Sequence, residues 1–115
     1  MLVGIKSIYK KPEAFDGKRI LVDRLWPRGV RKSTINIDAW MKDVAPSNEL
    51  RQWYAHEPEK WEAFKKKYKK EIEGTTAFEE LVKLVKTTDV TFLFASKEEK
   101  YNNAAALAAF INEKL

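Results

Sequence analysis

Short apolar segments alternate with helical patterns along this chain of 115 residues. Segments 2–8, 18–25 and 91–96 predict β-strands because they are short, apolar and rich in β-branched or aromatic residues. In the first, Val3 and Ile5 are placed on one face. The other two contain continuous apolar runs, which are typical of central strands that are covered on both faces.

Helical patterns fill most of the chain between the second and third predicted strands and the chain after the third. Apolar residues there recur every three or four positions. The predicted helices cover about 37–43, a stretch that starts after Pro46, and about 58–73, 76–86 and 101–114. Ser47 is the predicted N-cap of the second helix, and Thr76 with Glu79 is a predicted capping box for the fourth. Four aromatic residues are expected to be largely buried: Trp40, Trp53, Trp61 and Phe64.

The alternation of strands and helices predicts an α/β protein, a small three-layer fold with a mostly parallel sheet flanked by helices. The long helical connection from strand 18–25 to strand 91–96 makes these two strands parallel neighbours. The link from the first strand to the second is short, so the direction of the first strand stays open. No repeat, linker or low-complexity segment interrupts the chain, which predicts a single domain over residues 1–115.

A dense group of basic residues follows the second predicted strand. The segment VDRLWPRGVRKS (22–33) places Arg24, Arg28 and Arg31 within eight residues. Ligands of open parallel sheets bind outside the carboxyl ends of the strands, where this segment should meet SKEEKYNN (96–103). The planar guanidinium group binds carboxylate or phosphate through two parallel hydrogen bonds. We therefore predict a basic pocket for a small anionic ligand that bears a phosphate or a carboxylate, with nucleotide-like molecules among the candidates.

Eight residues are the predicted ligand contacts: Arg24, Trp26, Arg28, Gly29, Arg51, Ser96, Lys97 and Asn102. Asp23 is the candidate catalytic residue, as a general base or as the group that holds the arginines in place. The alternative for Asp23 is that it only accepts hydrogen bonds from nearby backbone amides. The arginines, in turn, could pair with Asp23, Asp38 and Asp43 and simply fix the loop.

The other predicted contacts have structural alternatives as well. Trp26 could stack on a ligand ring or fill the space between the loop and the helices. Gly29 could allow the close approach of an anion or supply a backbone shape that other residues resist. Arg51 could form a surface ion pair, Ser96 could belong to a simple turn before the last helix, and Asn102 could cap that helix.

The basic residues are concentrated in the first third of the chain. The net charge is +5, yet residues 1–35 alone hold nine Lys or Arg and three Asp or Glu. This asymmetry indicates an acidic partner, so a nucleic-acid or protein-binding module that uses the basic N-terminal third is the alternative function. The run KKKYKK (65–70) is predicted to be a solvated helix face, because Tyr68 falls on the buried stripe of its helix.

Composition and missing motifs narrow the chemistry. The chain has no cysteine and one histidine, so we predict no metal site, and no cofactor. It carries no Gly-rich nucleotide motif and no serine nucleophile motif. We also expect no membrane span and no signal peptide, which together with the lack of cysteine favours the cytoplasm. Whether a reaction takes place in the pocket, and how many copies associate, is not encoded in these patterns.

Three segments carry a resemblance to a known family: LVDRLWPRG (21–29), PSNELRQWYAHEPEKWEAFKKKYKKEI (46–72) and TFLFASKEEKYNNAAAL (91–107). They resemble the YeaO-like family of small bacterial and archaeal proteins, a domain-of-unknown-function family. The resemblance implies an α/β fold with a basic pocket and brings no established activity. The family motif falls on these residues: Asp23, Arg24, Trp26, Pro27, Arg28, Gly29, Pro46, Ser47, Leu50, Arg51, Trp61, Phe64, Tyr68, Lys97 and Asn102. Many relatives have Asn-His where this chain has Asn102-Asn103, so a mechanism that needs an imidazole there is not expected.

Overall fold

A parallel sheet of four strands forms the centre of the protein, whose computed structural model describes residues 3–115. The strands are β1 (Val3–Ser7), β2 (Lys18–Leu21), β3 (Ala39–Trp40) and β4 (Val90–Phe94), in the order β1-β4-β2-β3. Every neighbouring pair is parallel. The predicted parallel pairing of the second and last apolar segments is confirmed, and the first strand, whose direction was open, is parallel to β4. Residue 2 of the predicted first strand lies outside the described residues.

Residues 3–115 contain four α-helices, three between β3 and β4 and one after β4, and three of the four begin at a polar side-chain cap. They are α1 (Asn48–Tyr54), α2 (Trp61–Ile72), α3 (Thr76–Val85) and α4 (Asn103–Lys114). Ser47 caps α1 as predicted, with its hydroxyl accepting the Leu50 N–H at 3.1 Å. The capping box predicted for Thr76 and Glu79 is wrong, because Thr75 is the N-cap of α3 and its hydroxyl accepts the Phe78 N–H at 3.2 Å. The side chain of Phe78 cannot bond back to the N-cap, so a single side-chain cap replaces the box. None of the helices in residues 3–115 is long and apolar enough to cross a lipid bilayer.

The helix predicted over 37–43 is wrong. This stretch contains the short strand β3 and then a single 3-10 turn, Lys42–Val44. The N–H groups of Asp38 and Met41 donate to the carbonyls of Arg19 and Leu21 on β2, at 2.7 and 2.9 Å. Backbone N–H groups that would bond within the segment in a helix bond to carbonyls of β2 instead.

The two faces of the sheet are covered by different kinds of structure. Buried residues of all four helices pack on one face, against Ile20, Val22 and Phe92 among others. Because side chains alternate along a strand, Leu21 and Leu93 point to the other face. There they form a smaller cluster with Ile8 and with apolar residues of segment 22–40, namely Trp26, Val30, Ile35, Ile37 and Trp40. The α/β fold is confirmed, but helices flank only one face, and the third layer is irregular chain.

The expected burial of the aromatic residues is only partly correct. Phe64 is fully buried at 1% exposure, whereas Trp40 and Trp61 are half-buried. Trp53 is 37% exposed because it lies on the outer side of the short helix α1. The ammonium groups of Lys60 and Lys67 lie over its ring, at 5.0 and 4.9 Å from the centroid. This arrangement covers the indole with lysine side chains instead of core residues.

A buried polar cluster lies beside the amino end of β2. The Asp16 carboxylate accepts hydrogen bonds from Lys6 Nζ at 2.7 Å, from the Glu13 N–H at 3.0 Å and from Arg19 Nη1. Arg19 also donates from Nε to the Asn36 carbonyl at 2.6 Å. Burial alone would raise the pKa of Asp16, but the hydrogen bonds from Lys6, Glu13 and Arg19 outweigh it and lower that pKa. Two basic residues of the N-terminal third are thus already paired.

Candidate functional site

A cavity of about 360 Å³ opens at the edge of the sheet where the carboxyl ends of β1, β2 and β4 meet. Tyr9 follows β1, the segment Asp23 to Arg28 follows β2, and Ala95 with Ser96 follows β4. The opposite wall comes from α1, α2 and the start of α4. The lining residues are Tyr9, Asp23, Arg24, Leu25, Trp26, Pro27, Arg28, Pro46, Arg51, Tyr54, His56, Phe64, Ala95, Ser96, Asn102 and Asn103. Parallel strands bring these loops together because all of them leave the sheet at one edge.

Six of the eight predicted ligand contacts line this cavity. They are Arg24, Trp26, Arg28, Arg51, Ser96 and Asn102, and the candidate catalytic residue Asp23 lies with them. Gly29 and Lys97 are not among the lining residues. Gly29 lies at a turn after Arg28, and the exposed Lys97 follows Ser96. The structure thus places six of the eight residues around one cavity, and their role as ligand contacts stays a prediction.

Asp23 is held by partners other than the arginines. Its carboxylate accepts the Ala95 N–H on one oxygen at 2.9 Å and the Asn103 side-chain amide on the other at 3.1 Å. The expectation that Asp23 holds the arginines in place is not met, because no salt bridge in residues 3–115 joins Asp23 to Arg24 or Arg28. Burial raises the pKa of Asp23, against the opposing effect of these two hydrogen bonds and of the Arg51 charge.

The three cavity arginines are not neutralised by carboxylates. Arg24 donates from Nε and Nη2 to the backbone carbonyls of Pro46 and Ala45, both at 3.0 Å. Arg51 donates to the Asn48 side chain at 3.1 Å. Within residues 3–115, no salt bridge joins Arg24, Arg28 or Arg51 to an acidic side chain. The alternative in which Asp23, Asp38 and Asp43 fix the loop through ion pairs is therefore not what the structure contains.

Trp26 packs inside the irregular layer and also lines the cavity, while stacking on a ligand ring stays a prediction. Its indole N–H donates to the Val30 carbonyl at 2.7 Å, and its ring packs edge-on against Trp40 with centroids 5.2 Å apart. These contacts fix the loop on the irregular face of the sheet. The same side chain also lines the cavity. Trp26 thus links the small apolar cluster to the wall of the site.

The residues that precede α4 are arranged by local hydrogen bonds. The Ser96 hydroxyl accepts the Glu98 N–H at 3.0 Å, as in a simple turn. Asn102 is buried, caps α4 by accepting the Ala105 N–H at 2.9 Å, and donates to the Glu98 carbonyl at 2.8 Å. The capping alternative for Asn102 is therefore present, although its side chain also reaches the cavity.

Several cavity residues were missed as site residues by the sequence analysis. The Tyr9 hydroxyl donates to the Arg28 carbonyl at 3.0 Å and so ties the loop after β1 to the loop after β2. Asn103 donates to the Val22 carbonyl at 3.0 Å as well as to Asp23. His56 follows α1 in a left-handed conformation, with φ of 56°, directly after Ala55 with φ of 47°. Tyr9 could have been placed at the cavity only by the rule that the carboxyl ends of parallel strands meet at one edge of a sheet. To apply that rule, the direction of β1 had to be known, and the sequence left it open.

Gly29 has a positive φ of 75°, and no atom lies within 4 Å of the position a Cβ would occupy. We expect Gly29→Val to destabilise the protein by about 1–2 kcal/mol through backbone strain alone, since L-residues resist this conformation. Urea unfolding measures the change. Gly4→Val is the control, because Gly4 lies on an edge strand without a positive φ and a Cβ there meets only Thr91 at 3.6 Å. Equal losses at both positions would contradict the assignment of the cost to φ.

The fold and the cavity define a small parallel α/β protein with a cleft at the carboxyl edge of its sheet. A family model described as the inactive DUF488-N3 subclade matches residues 2–115, and the chain belongs to this family. It is 41% identical over 110 residues to uncharacterised proteins of Mycobacterium tuberculosis (strain H37Rv) and Mycobacterium bovis, covering 96% of this chain and 93% of each relative. It is 35% identical over 112 residues to the uncharacterised protein YeaO of Escherichia coli (strain K12), covering 96% of this chain and 97% of that relative.

These relatives confirm the resemblance to the YeaO-like family that the sequence motifs indicated. No solved structure matches the chain. In the part of the chain that the structure describes, no group of three or more His, Asp or Glu side chains is placed to hold a metal ion.

Proposed function

We propose that the protein binds a small anionic ligand, bearing a phosphate or a carboxylate, in the cavity at the carboxyl edge of the sheet. The observation that supports this most directly is the charge of the lining, where Arg24, Arg28 and Arg51 stand against the single carboxylate of Asp23. A volume of about 360 Å³ suits a small molecule. Guanidinium groups without a carboxylate partner retain their capacity for charge-assisted hydrogen bonds to an anion.

We propose binding without catalysis. The family model that matches the chain is described as inactive. The Asp23 carboxylate is already engaged by the Ala95 amide and the Asn103 side chain, which suits a fixed acceptor. The one histidine, His56, is exposed at the cavity wall.

A small ligand fits these features better than a nucleic acid does. The basic N-terminal third has less free charge than its composition suggests, because Lys6 and Arg19 pair with Asp16, and Lys10 pairs with Glu99 at 3.2 Å. Of the other arginines in this third, Arg24 and Arg28 line the concave cavity. Binding of an oligonucleotide would also weaken steeply with added salt, in proportion to the phosphates contacted, which separates the two functions.

The arginines of the loop after β2 supply the test. We expect Arg28→Ala to weaken binding of inorganic phosphate or a nucleoside monophosphate by roughly 10- to 150-fold, the equivalent of about 1.5–3 kcal/mol for one hydrogen bond to a charged group. Isothermal titration calorimetry measures the affinity. Thermal unfolding with and without the probe checks it independently, because a ligand of the native state raises the Tm. Stability without ligand should change little, since Arg28 is exposed.

Arg31→Ala is the matched control. Arg31 belongs to the same loop and the same basic third, is exposed, and does not line the cavity. It should leave the affinity unchanged. If both variants weaken binding equally, the general charge of the surface attracts the anion, and the cavity proposal fails.

A further inference from the structure

The cavity proposed to bind anions also contains a carboxylate, which a site for anions alone would not favour. Asp23 repels a bound phosphate or carboxylate, and its partial burial costs desolvation. Its pairing with hydrogen-bond donors does not remove the charge. A ligand that balances the negative charge of Asp23 as well as the positive charges of the arginines would suit every charged group in the cavity.

Asp23 is arranged as a fixed acceptor with unused capacity. The Ala95 N–H binds one carboxylate oxygen and the Asn103 amide binds the other, so the plane of the group is held from two directions. A carboxylate has about four lone-pair sites, and these two donors occupy about half of them. No Lys, Arg or His in residues 3–115 forms a salt bridge with Asp23. The carboxylate lines the cavity in this state.

The lining also includes apolar and aromatic surface. The rings of Tyr54 and Phe64 stack with centroids 4.3 Å apart, and both residues line the cavity. Leu25 and Tyr9, which are 58% and 57% exposed, contribute further apolar surface. This surface can contact the carbon skeleton of an organic molecule, whereas a free inorganic anion has no apolar part to place there.

From these three features we infer that the ligand is amphoteric, with an anionic group for the arginines joined to an N–H donor group for Asp23. The donor is a primary ammonium group or the N–H edge of a nucleobase, which present the same chemistry to a carboxylate. This inference rests on the proposed anion-binding function and narrows its ligand class.

Matched probe pairs separate the two sources of the donor. O-phosphoethanolamine differs from ethyl phosphate by its ammonium group, and guanosine 5′-monophosphate differs from inosine 5′-monophosphate by its amino group. In at least one pair, the member with the additional donor should bind about 10-fold more tightly or better. Equal affinities within both pairs overturn the inference. The pair that shows the difference identifies the donor as an ammonium group or a nucleobase edge.

Asp23→Asn should abolish this selectivity, since the amide replaces an acceptor with a donor and removes the charge. Asp43→Asn is the control, because Asp43 is an exposed carboxylate that does not line the cavity. Selectivity that survives Asp23→Asn overturns the inference. The inference is supported if the unaltered protein is selective and the Arg28→Ala variant loses binding of both members of each probe pair.

A second measurement uses the unaltered protein and does not depend on the stability of a variant. Carbon NMR of the Asp23 carboxyl follows its titration with and without probe. The donor-bearing member of the pair that shows selectivity should lower the pKa of Asp23, because its donor group stabilises the carboxylate. Ethyl phosphate, which has no donor group for Asp23, should raise this pKa through like-charge repulsion. A raised pKa with the donor-bearing members of both pairs overturns the inference but leaves anion binding in place. Failure of every probe to bind overturns the proposed function itself.

Discussion

Replacement of Asp16 by alanine is expected to destabilise the protein by about 3–5 kcal/mol, the cost of leaving a buried ion without its partner. Asp16 and Arg19 are 5% and 3% exposed, and Asp16 accepts hydrogen bonds from Arg19 and Lys6. Arg19 Nη2 already lacks a hydrogen-bond partner among the described residues. Without the Asp16 carboxylate, the positive charge of the Arg19 guanidinium group would stay buried beneath the irregular layer with no carboxylate beside it. Urea denaturation followed by tryptophan fluorescence measures the loss.

Glu13→Ala is the control for the Asp16 variant. Glu13 also pairs with Lys6, at 3.0 Å, but its side chain is 52% exposed, so the loss should stay below about 1 kcal/mol. The pH dependence gives a second check. The pKa of Asp16 is lowered from 3.8, so its ionisation stabilises the fold above the unfolded-state pKa, and this contribution is lost as the pH falls through the lower folded-state pKa. A loss for Asp16→Ala no larger than that for Glu13→Ala would show that the cluster is not a buried ion pair in solution.

Gly17→Ala is expected to cost about 3 kcal/mol or more, although it adds a single methyl group. Gly17 has φ of 66° and ψ of −140°, a conformation that is nearly restricted to glycine and costs other residues about 1–3 kcal/mol. A Cβ at this position would also clash with the backbone oxygen of Asp89. That oxygen accepts the Lys18 N–H at 2.9 Å, so the clash would disturb the first contact between β2 and β4.

Gly74→Ala separates the two causes, with equilibrium unfolding as the measurement. Gly74 has a comparable φ of 81°, and no atom lies within 4 Å of its Cβ position. Its substitution should cost only the strain, about 1–2 kcal/mol. If the two variants lose equal stability, the close approach to Asp89 is not important and the strand can shift to accommodate the methyl group.

The central strands and the location of the cavity could be predicted because they follow from local patterns and one topological rule. Ile20, Leu21 and Val22 are all buried, as their continuous apolar run indicated. A long helical connection requires parallel neighbours, and parallel neighbours bring the loops after Leu21 and Phe94 to one edge. The arginines and Ser96 follow from that placement.

Other parts of the fold depend on tertiary pairing that short patterns do not encode. Strand β3 has two residues, Ala39–Trp40, and exists because β2 supplies its hydrogen bonds. Apolar residues at 40, 41 and 44 match a helical period equally well, so the periodicity favoured the wrong element. The contribution of Tyr9 depends on the pairing of β1 with β4, which the short link before β2 left open.

The irregular third layer has a consequence for how this protein can change over evolutionary time. The segment between β2 and β3 is at once the wall of the cavity and the cover of the small apolar cluster, through Trp26, Val30 and Ile35. Ordinary surface loops tolerate insertions and deletions, but a change of length here would uncover Leu21 and Leu93. Changes in the proposed ligand preference should therefore arise by exchange of individual side chains around the cleft, while the length of this segment stays constant.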